Sequence, residues 1–193
     1  SDLRESGCLT ADTRVLREAT ATTWLGLTMA IHIQTTAAAA WRMIATCDGL
    51  ERWFLRRAEA WSSDGREWPR DRPVEAGAKL RMTWLCAGEC DARGVAVPVE
   101  LSEDQSVQRT EPPQRLRHGW YEDRGWVEYR IVPHAIPGRI TVELEQRMNP
   151  TADFAFLEGA YVGCQQGWTF FLTNLKSVLE HGTDLREPAP DRK

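Results

Sequence analysis

Tyr161-Val-Gly-Cys-Gln-Gln-Gly-Trp-Thr-Phe-Phe-Leu-Thr-Asn-Leu-Lys-Ser-Val-Leu-Glu180 is the stretch on which the fold turns. At helical spacing Tyr161, Gln165, Trp168, Leu172, Leu175 and Leu179 share one stripe, and Cys164, Phe171 and Val178 widen it. One face is therefore made for burial. Gly182 follows as a C-cap, and Lys176 and His181 suit the negative end of the helix dipole. From Leu157 to Glu180 such a helix is roughly 36 Å long, at about 1.5 Å per residue, enough to cross a small domain. Aromatics fill its first half and leucines its second. The two halves are expected to face different things, a cavity under the first and solid core under the second.

Working outward, the 193 residues fit one domain that needs no staples, with boundaries expected at 23–186 and short tails at 1–22 and 187–193. The tail 1–22 is polar, with a short helix expected over Asp12 to Ala19. Charge is nearly balanced, 24 basic against 28 acidic residues, for a net of −4. With no basic run, this argues against a nucleic-acid or anionic-membrane partner. No apolar run is long enough for a membrane span and no signal-peptide pattern opens the chain, so a cytoplasmic protein is expected. The five cysteines are scattered and odd in number, which reads as free thiols; Cys86 and Cys90 form a C-x3-C pair with no second ligand cluster, so no metal or other cofactor is expected. Nine tryptophans are the notable excess, since large flat side chains line pockets as well as fill cores. Arginines outnumber lysines 21 to three, which points to a GC-rich bacterial source and not to chemistry.

Upstream of the helix, Trp24 to Gln34 alternates, with Leu25, Leu27, Met29, Ile31 and Ile33 on one side and His32 on the other, as in a half-buried strand. Thr35 and Thr36 supply an N-cap for a short helix over Ala37 to Thr46, with Trp41 and Ile44 inward. Asp48 is expected to cap a second helical piece holding Leu50, Trp53 and Phe54. Ser62 to Gly77 reads as a surface loop. Strands are expected at Lys79 to Cys86, Gly94 to Leu101, Val107 to Thr110, Leu116 to Tyr121, Trp126 to Val132 and Arg139 to Met148. Ser102 to Gln105 reads as a turn, Pro98 as a bulge or edge, and Pro137-Gly138 as the last turn. Val95, Val97, Val99 and Leu101 share one side of the second of these strands. Strands joined by short turns make an antiparallel meander, apolar on one face, and the long helix is the element that can cover that face. The fold class is α+β, a curved antiparallel sheet gripping a C-terminal helix, with two short helices after the first strand.

Ile31-His-Ile-Gln-Thr-Thr-Ala-Ala-Ala-Ala-Trp41, continuing to Asp48-Gly-Leu-Glu-Arg-Trp-Phe54, resembles the opening of the Hsp90-ATPase-activator-homologue family of the START-like (SRPBCC, helix-grip) superfamily. Glu111-Pro-Pro-Gln-Arg-Leu116 with Trp120 resembles its central strand signature, and Gly167-Trp168 with Leu172, Leu175, Lys176, Leu179, Glu180 and Gly182 its C-terminal helix. These motifs run in the family's order over Trp24 to Arg186. The stretch between Gly94 and Val107 and the N-terminal tail depart from the pattern. The resemblance implies a hydrophobic cavity between sheet and helix that holds a lipid, polyketide or other apolar metabolite. Such motifs speak for packing more than for activity, because the superfamily hosts many functions.

Inward positions opposite the aromatic half of the helix are Met82, Trp84, His118, Trp120, Val127 and Tyr129. With Tyr161, Gln165 and Trp168 they make an apolar gallery with a few polar groups, the composition of a small-molecule pocket. The competing reading is a solid core of the same aromatics. His118 and Gln165 are the polar residues expected inside, where a histidine could serve as acid or base and a glutamine could orient a carbonyl. Glu128, Arg130 and His32 fall on the opposite, solvated face. Cys164 beside the stripe reads as an inert buried thiol. No nucleophile elbow, H-E-x-x-H, phosphate loop or dinucleotide fingerprint is present. The expected function is binding of a hydrophobic, aromatic or polyketide-like small molecule for sequestration, resistance or carriage, by a monomer or weak homodimer. A cyclase, dehydratase or hydrolase using His118 and Gln165 in the same cavity is the alternative, and a chaperone-interaction module the third.

Overall fold

A computed structural model describes residues 25–90, 92–93, 96–149 and 154–186. The expected tails at 1–22 and 187–193, the helix over Asp12 to Ala19, Trp24 and Val95 lie outside the described residues. In chain order the elements are β1 (Leu25–Ile33), α1 (Ala37–Ala45), α2 (Cys47–Trp53), β2 (Arg57–Trp61), β3 (Lys79–Cys90), β4 (Ala96–Glu111), β5 (Arg115–Trp120), β6 (Gly125–Pro133), β7 (Ile140–Met148) and α3 (Phe154–His181). The seven strands form one antiparallel sheet in the order β1-β7-β6-β5-β4-β3-β2, with β1 and β2 at the edges.

Local chemistry sets the element ends. Thr36 caps α1 by accepting from the Ala39 N–H at 3.1 Å. The cap of α2 is Thr46 and not Asp48 as expected: its Oγ1 accepts from the Gly49 N–H at 2.9 Å and donates to the Arg42 carbonyl at 2.7 Å. One threonine thus joins the two helices, while Asp48 sits in the first turn of α2 and takes Arg70 at 2.9 Å. At the far end of α3, Gly182 adopts φ +71° and its N–H bonds the Val178 carbonyl at 3.0 Å, the left-handed stop its sequence position predicts.

Two regions differ from expectation. β2 pairs with β3 just before the expected loop, in a stretch to which the sequence assigned no element, because Ala58 and Ala60 are small residues whose burial leaves a weak alternating signal. The turn expected at Ser102 to Gln105 does not exist. β4 runs straight through it for 16 residues, and its polar run is satisfied across the sheet: Arg81 holds Asp104 at 2.6 Å, and the Thr83 and Ser102 hydroxyls meet at 2.8 Å. A register shift between Ala87 and Cys90 marks the bulge opposite Pro98.

The concave face carries the core. Leu172, Leu175 and Val178 of α3 are buried with Val142 and Leu144 of β7, Ile131 of β6, and Trp41 and Ile44 of α1. The Trp53 indole donates to the Met43 carbonyl at 2.9 Å, and buried Asn174 donates to the Trp53 carbonyl at 2.7 Å, locking α2 to α3. The segment after α3 folds back, with Arg186 donating to the Leu55 and Glu51 carbonyls at 2.8 and 2.6 Å. Lys176 donates to the His32 carbonyl at 2.8 Å, and Glu180 accepts from the Gln34 N–H at 2.6 Å, fixing α3 against the end of β1. These anchors all lie along the second half of α3 and beyond it. That half is solid, as the sequence predicts.

Candidate ligand cleft under the first half of the long helix

The first half of α3 lies over a half-open cleft of about 300 Å3. Trp84 and Cys86 of β3 and Leu101 and Glu103 of β4 form one wall, and Trp120, Tyr121 and Phe54 continue it. The opposite wall is Gly163, Cys164, Gly167, Trp168 and Phe171 of α3. Strand alternation explains the first wall. Trp84 pairs with Leu101 and Met82 with Glu103, so all four point to the concave side.

Aromatic rings set the shape. Phe54 contacts Trp168 and Phe171 at ring-centre distances of 5.0 and 4.9 Å. Trp84 stands edge-on to both Phe54, at 5.9 Å and 74°, and Trp120, at 5.7 Å and 89°. Trp120 contacts Trp168 at 5.2 Å. Edge-to-face contacts of Trp84 and Phe171 alternate with tilted ones of Trp168 in this floor. The helix wall is open because it lacks side chains. A Cβ built on Gly163 meets nothing within 4 Å, and one on Gly167 meets only a Phe171 ring atom at 4.0 Å. Two glycines four apart in a helix cost about 1 kcal/mol each relative to alanine, and no close packing at either site requires them.

Of the residues singled out in the sequence, Trp84, Trp120, Trp168 and Cys164 line the cleft. Met82, Val127, Tyr129 and His118 are buried beneath or beside the floor and do not line it. Tyr161 is half-buried against the core outside the lining. Gln165 does not point inward: it is exposed, because the buried stripe runs through Cys164, Trp168, Leu172 and Leu175, about 100° round the helix from it. Glu128 is likewise not solvated. Its side chain is 4% exposed, 2.9 Å from Arg117 and within 4 Å of Arg115 and Arg130, whose long side chains wrap the outer face of the sheet. His32 is exposed as expected, against Thr141 at 3.0 Å. Sequence reasoning missed Phe54, Leu101, Glu103, Tyr121, Gly163 and Gly167 as lining residues. The glycine pair was the available signal, since nothing else in the helix pattern asks for it.

His118 is 1% exposed, and its Nδ1 lies 2.6 Å from the Gly119 carbonyl. A carbonyl only accepts, so Nδ1 carries the proton and Nε2 is a bare acceptor. Burial holds the ring's pKa down to about 4, against a weaker upward pull from the Gly119 bond, so His118 is neutral at neutral pH. Its Nε2, the Tyr129 hydroxyl and the Trp120 indole N–H are buried without a partner, whereas the Trp168 indole donates to Gln146 at 2.6 Å. Burial also pushes the Tyr129 phenol upward. At the mouth, Tyr121, Glu122 and Asp123 form a left-handed turn with φ of 50°, 54° and 62°. It sets the Tyr121 hydroxyl 3.4 Å from the Cys164 thiol, and burial first and this contact second raise the Tyr121 phenol. Glu103 is raised by burial first and by Glu122 second, opposed by a hydrogen bond from Gln105 at 2.8 Å and by Arg124. Among the described residues no group of His, Cys, Asp and Glu is placed to hold a metal ion. None of the helices there is long and apolar enough to cross a membrane.

No family model matches the sequence, and no curated protein does. Solved structures do match. The Aha1 protein of Colwellia psychrerythraea, solved as a dimer, superposes with TM-score 0.54 at 16% identity over 82% of this chain and 98% of its own. The chain has the helix-grip fold. CalU16 of Micromonospora echinospora gives 0.55 at 19% identity, covering 86% of this chain and 71% of that one. DynU16, from the dynemicin biosynthetic locus, gives 0.54 at 14% over 84% of this chain and 49% of its own. At such identities the likeness speaks for fold alone.

Proposed function

We propose that this protein binds an apolar, ring-bearing small molecule in the cleft between the β3–β5 wall and the first half of α3, for sequestration, resistance or carriage of that compound. The observation that carries this reading is the pair Gly163 and Gly167. They hold open a cleft of about 300 Å3 over an aromatic floor, at a cost in helix propensity that packing does not explain. Flat ligand rings would stack against Trp84, Trp120 and Phe171. A protein of the same fold in the dynemicin biosynthetic locus supports looking for the ligand among aromatic natural products. The motifs shared with Hsp90-ATPase-activator homologues support a place in that branch of the fold, and a monomer or weak homodimer is the oligomeric state we propose.

The alternative of a cyclase or hydrolase working through His118 and Gln165 draws no support, because His118 is neutral and behind the cleft floor and Gln165 faces outward. The test is Gly167→Leu, which fills the cleft from the helix side. Unfolding should show stability unchanged or raised by about 0.8 kcal/mol from helix propensity. Tryptophan fluorescence titration with 2-naphthalenemethanol should show binding to the natural protein and a loss of at least tenfold in the variant. Equal affinity in both would refute the site.

A further inference from the structure

We propose that the ligand of this cleft carries a protonated amine, seated between the Glu103 carboxylate and the edge-on rings of Trp84 and Trp120. The inference rests on the binding reading above and adds the ligand's charge. Glu103 is the charged residue in a lining that is otherwise aromatic, aliphatic, glycine, thiol or phenol. Alternation places it on the concave face beside Leu101, opposite Met82, where a hydrophobic residue would pack better. Its Oε2 accepts from the buried Gln105 amide, which holds the side chain in place; among the described residues it joins no ion pair within 4 Å. Arg124 pairs with Glu122 at 3.8 Å, outside the lining, and attracts Glu103 only from beyond ion-pair distance.

The chemistry around the carboxylate favours a cation. Ring faces carry negative potential, and Trp84 stands at 89° to Trp120 and 74° to Phe54, forming an aromatic corner of the kind that attracts ammonium groups. A carboxylate at the edge of that corner supplies a charge-assisted hydrogen bond from N+–H. Burial first and Glu122 second raise the Glu103 carboxyl, against Gln105 and Arg124, so its ionised form is disfavoured in the free site and a bound ammonium would favour it. An anionic ligand would meet the Glu103 carboxylate and be repelled.

The experiment compares three probes of one shape on the full chain near neutral pH: 2-naphthylmethylamine, 2-naphthalenemethanol and 2-naphthoate, by fluorescence titration. The amine should bind at least tenfold tighter than the alcohol, and the naphthoate weakest. In Glu103→Gln the ratio of amine to alcohol affinity should fall below about threefold. Equal binding of amine and alcohol, tightest binding of naphthoate, or a ratio that survives Glu103→Gln would overturn this inference and leave the binding site standing. Binding of none of the three would overturn the site as well. The three-probe comparison on the natural protein decides the matter even where the variant fails to fold.

Discussion

Lowering the pH should destabilise the fold through His118. The folded protein holds this imidazole at about 4, and an unfolded chain at about 6.5. Between those values the unfolded state binds the additional proton, so stability falls as pH falls. The loss begins near pH 6.5 and saturates below about pH 4. The full effect is about 3 kcal/mol, of which about 2 kcal/mol falls between pH 7 and pH 4.5. Other groups titrate in the same interval, and a variant subtracts them. His118→Asn keeps a donor for the Gly119 carbonyl and removes the titration, at a fixed cost in packing. Urea unfolding of both proteins from pH 7 to 4.5 should show the natural protein losing about 2 kcal/mol more than the variant. Parallel pH dependence, within about 0.5 kcal/mol, would mean that the ring is solvated or already charged. The cleft floor described above would then be wrong, and acid–base chemistry by His118 would return as a reading.

Two further substitutions probe the surroundings of the cleft. Glu122→Gly places a residue without a Cβ at a φ of 54° and should raise stability by about 0.5–1 kcal/mol in thermal unfolding; a loss would show that the left-handed turn is not the solution conformation. Glu128→Gln leaves Arg115, Arg117 and Arg130 without their shared buried carboxylate and should cost about 2 kcal/mol, reduced from the cost of a fully buried pair because the arginines are about one-third exposed. An unchanged denaturation midpoint would refute the packing of the outer face.

The sheet and the long helix were legible because their signals are redundant. Each of β1, β6 and β7 repeats one apolar face several times, and α3 repeats a stripe over many turns. Short or polar segments failed. Ser102 to Gln105 has the composition of a turn and is strand, because its polarity is answered by Arg81 and Thr83 on a neighbour that sequence proximity does not reveal. Gln165 was misplaced because the apolar stripe is broad at that point, and a stripe built on Tyr161 drifts by one residue from one built on Cys164. Glu128 was misplaced because alternation predicts which face a residue takes, not whether arginines from adjacent strands close over it. Trp84, Trp120 and Trp168 were found because large inward aromatics are themselves the pocket's material. Gly163 was passed over and Gly167 was read only as part of the helix motif, because a pocket is also made of what is missing.

β4 joins two environments within one unbroken strand. Val107 is 2% exposed, whereas Val97, Val99 and Leu101 are about half exposed, on a stretch paired only with the outer part of β3. Amide protection should therefore fall steeply along it, high near 107 and low from 101 outward, as opening there breaks few buried contacts. Since Leu101 borders the cleft, entry and exit of a ligand would follow the fraying of this arm and not the global unfolding rate. Residence time and overall stability would then be separately adjustable, the first by substitutions at 97 to 101 and the second by the core beneath the far half of α3.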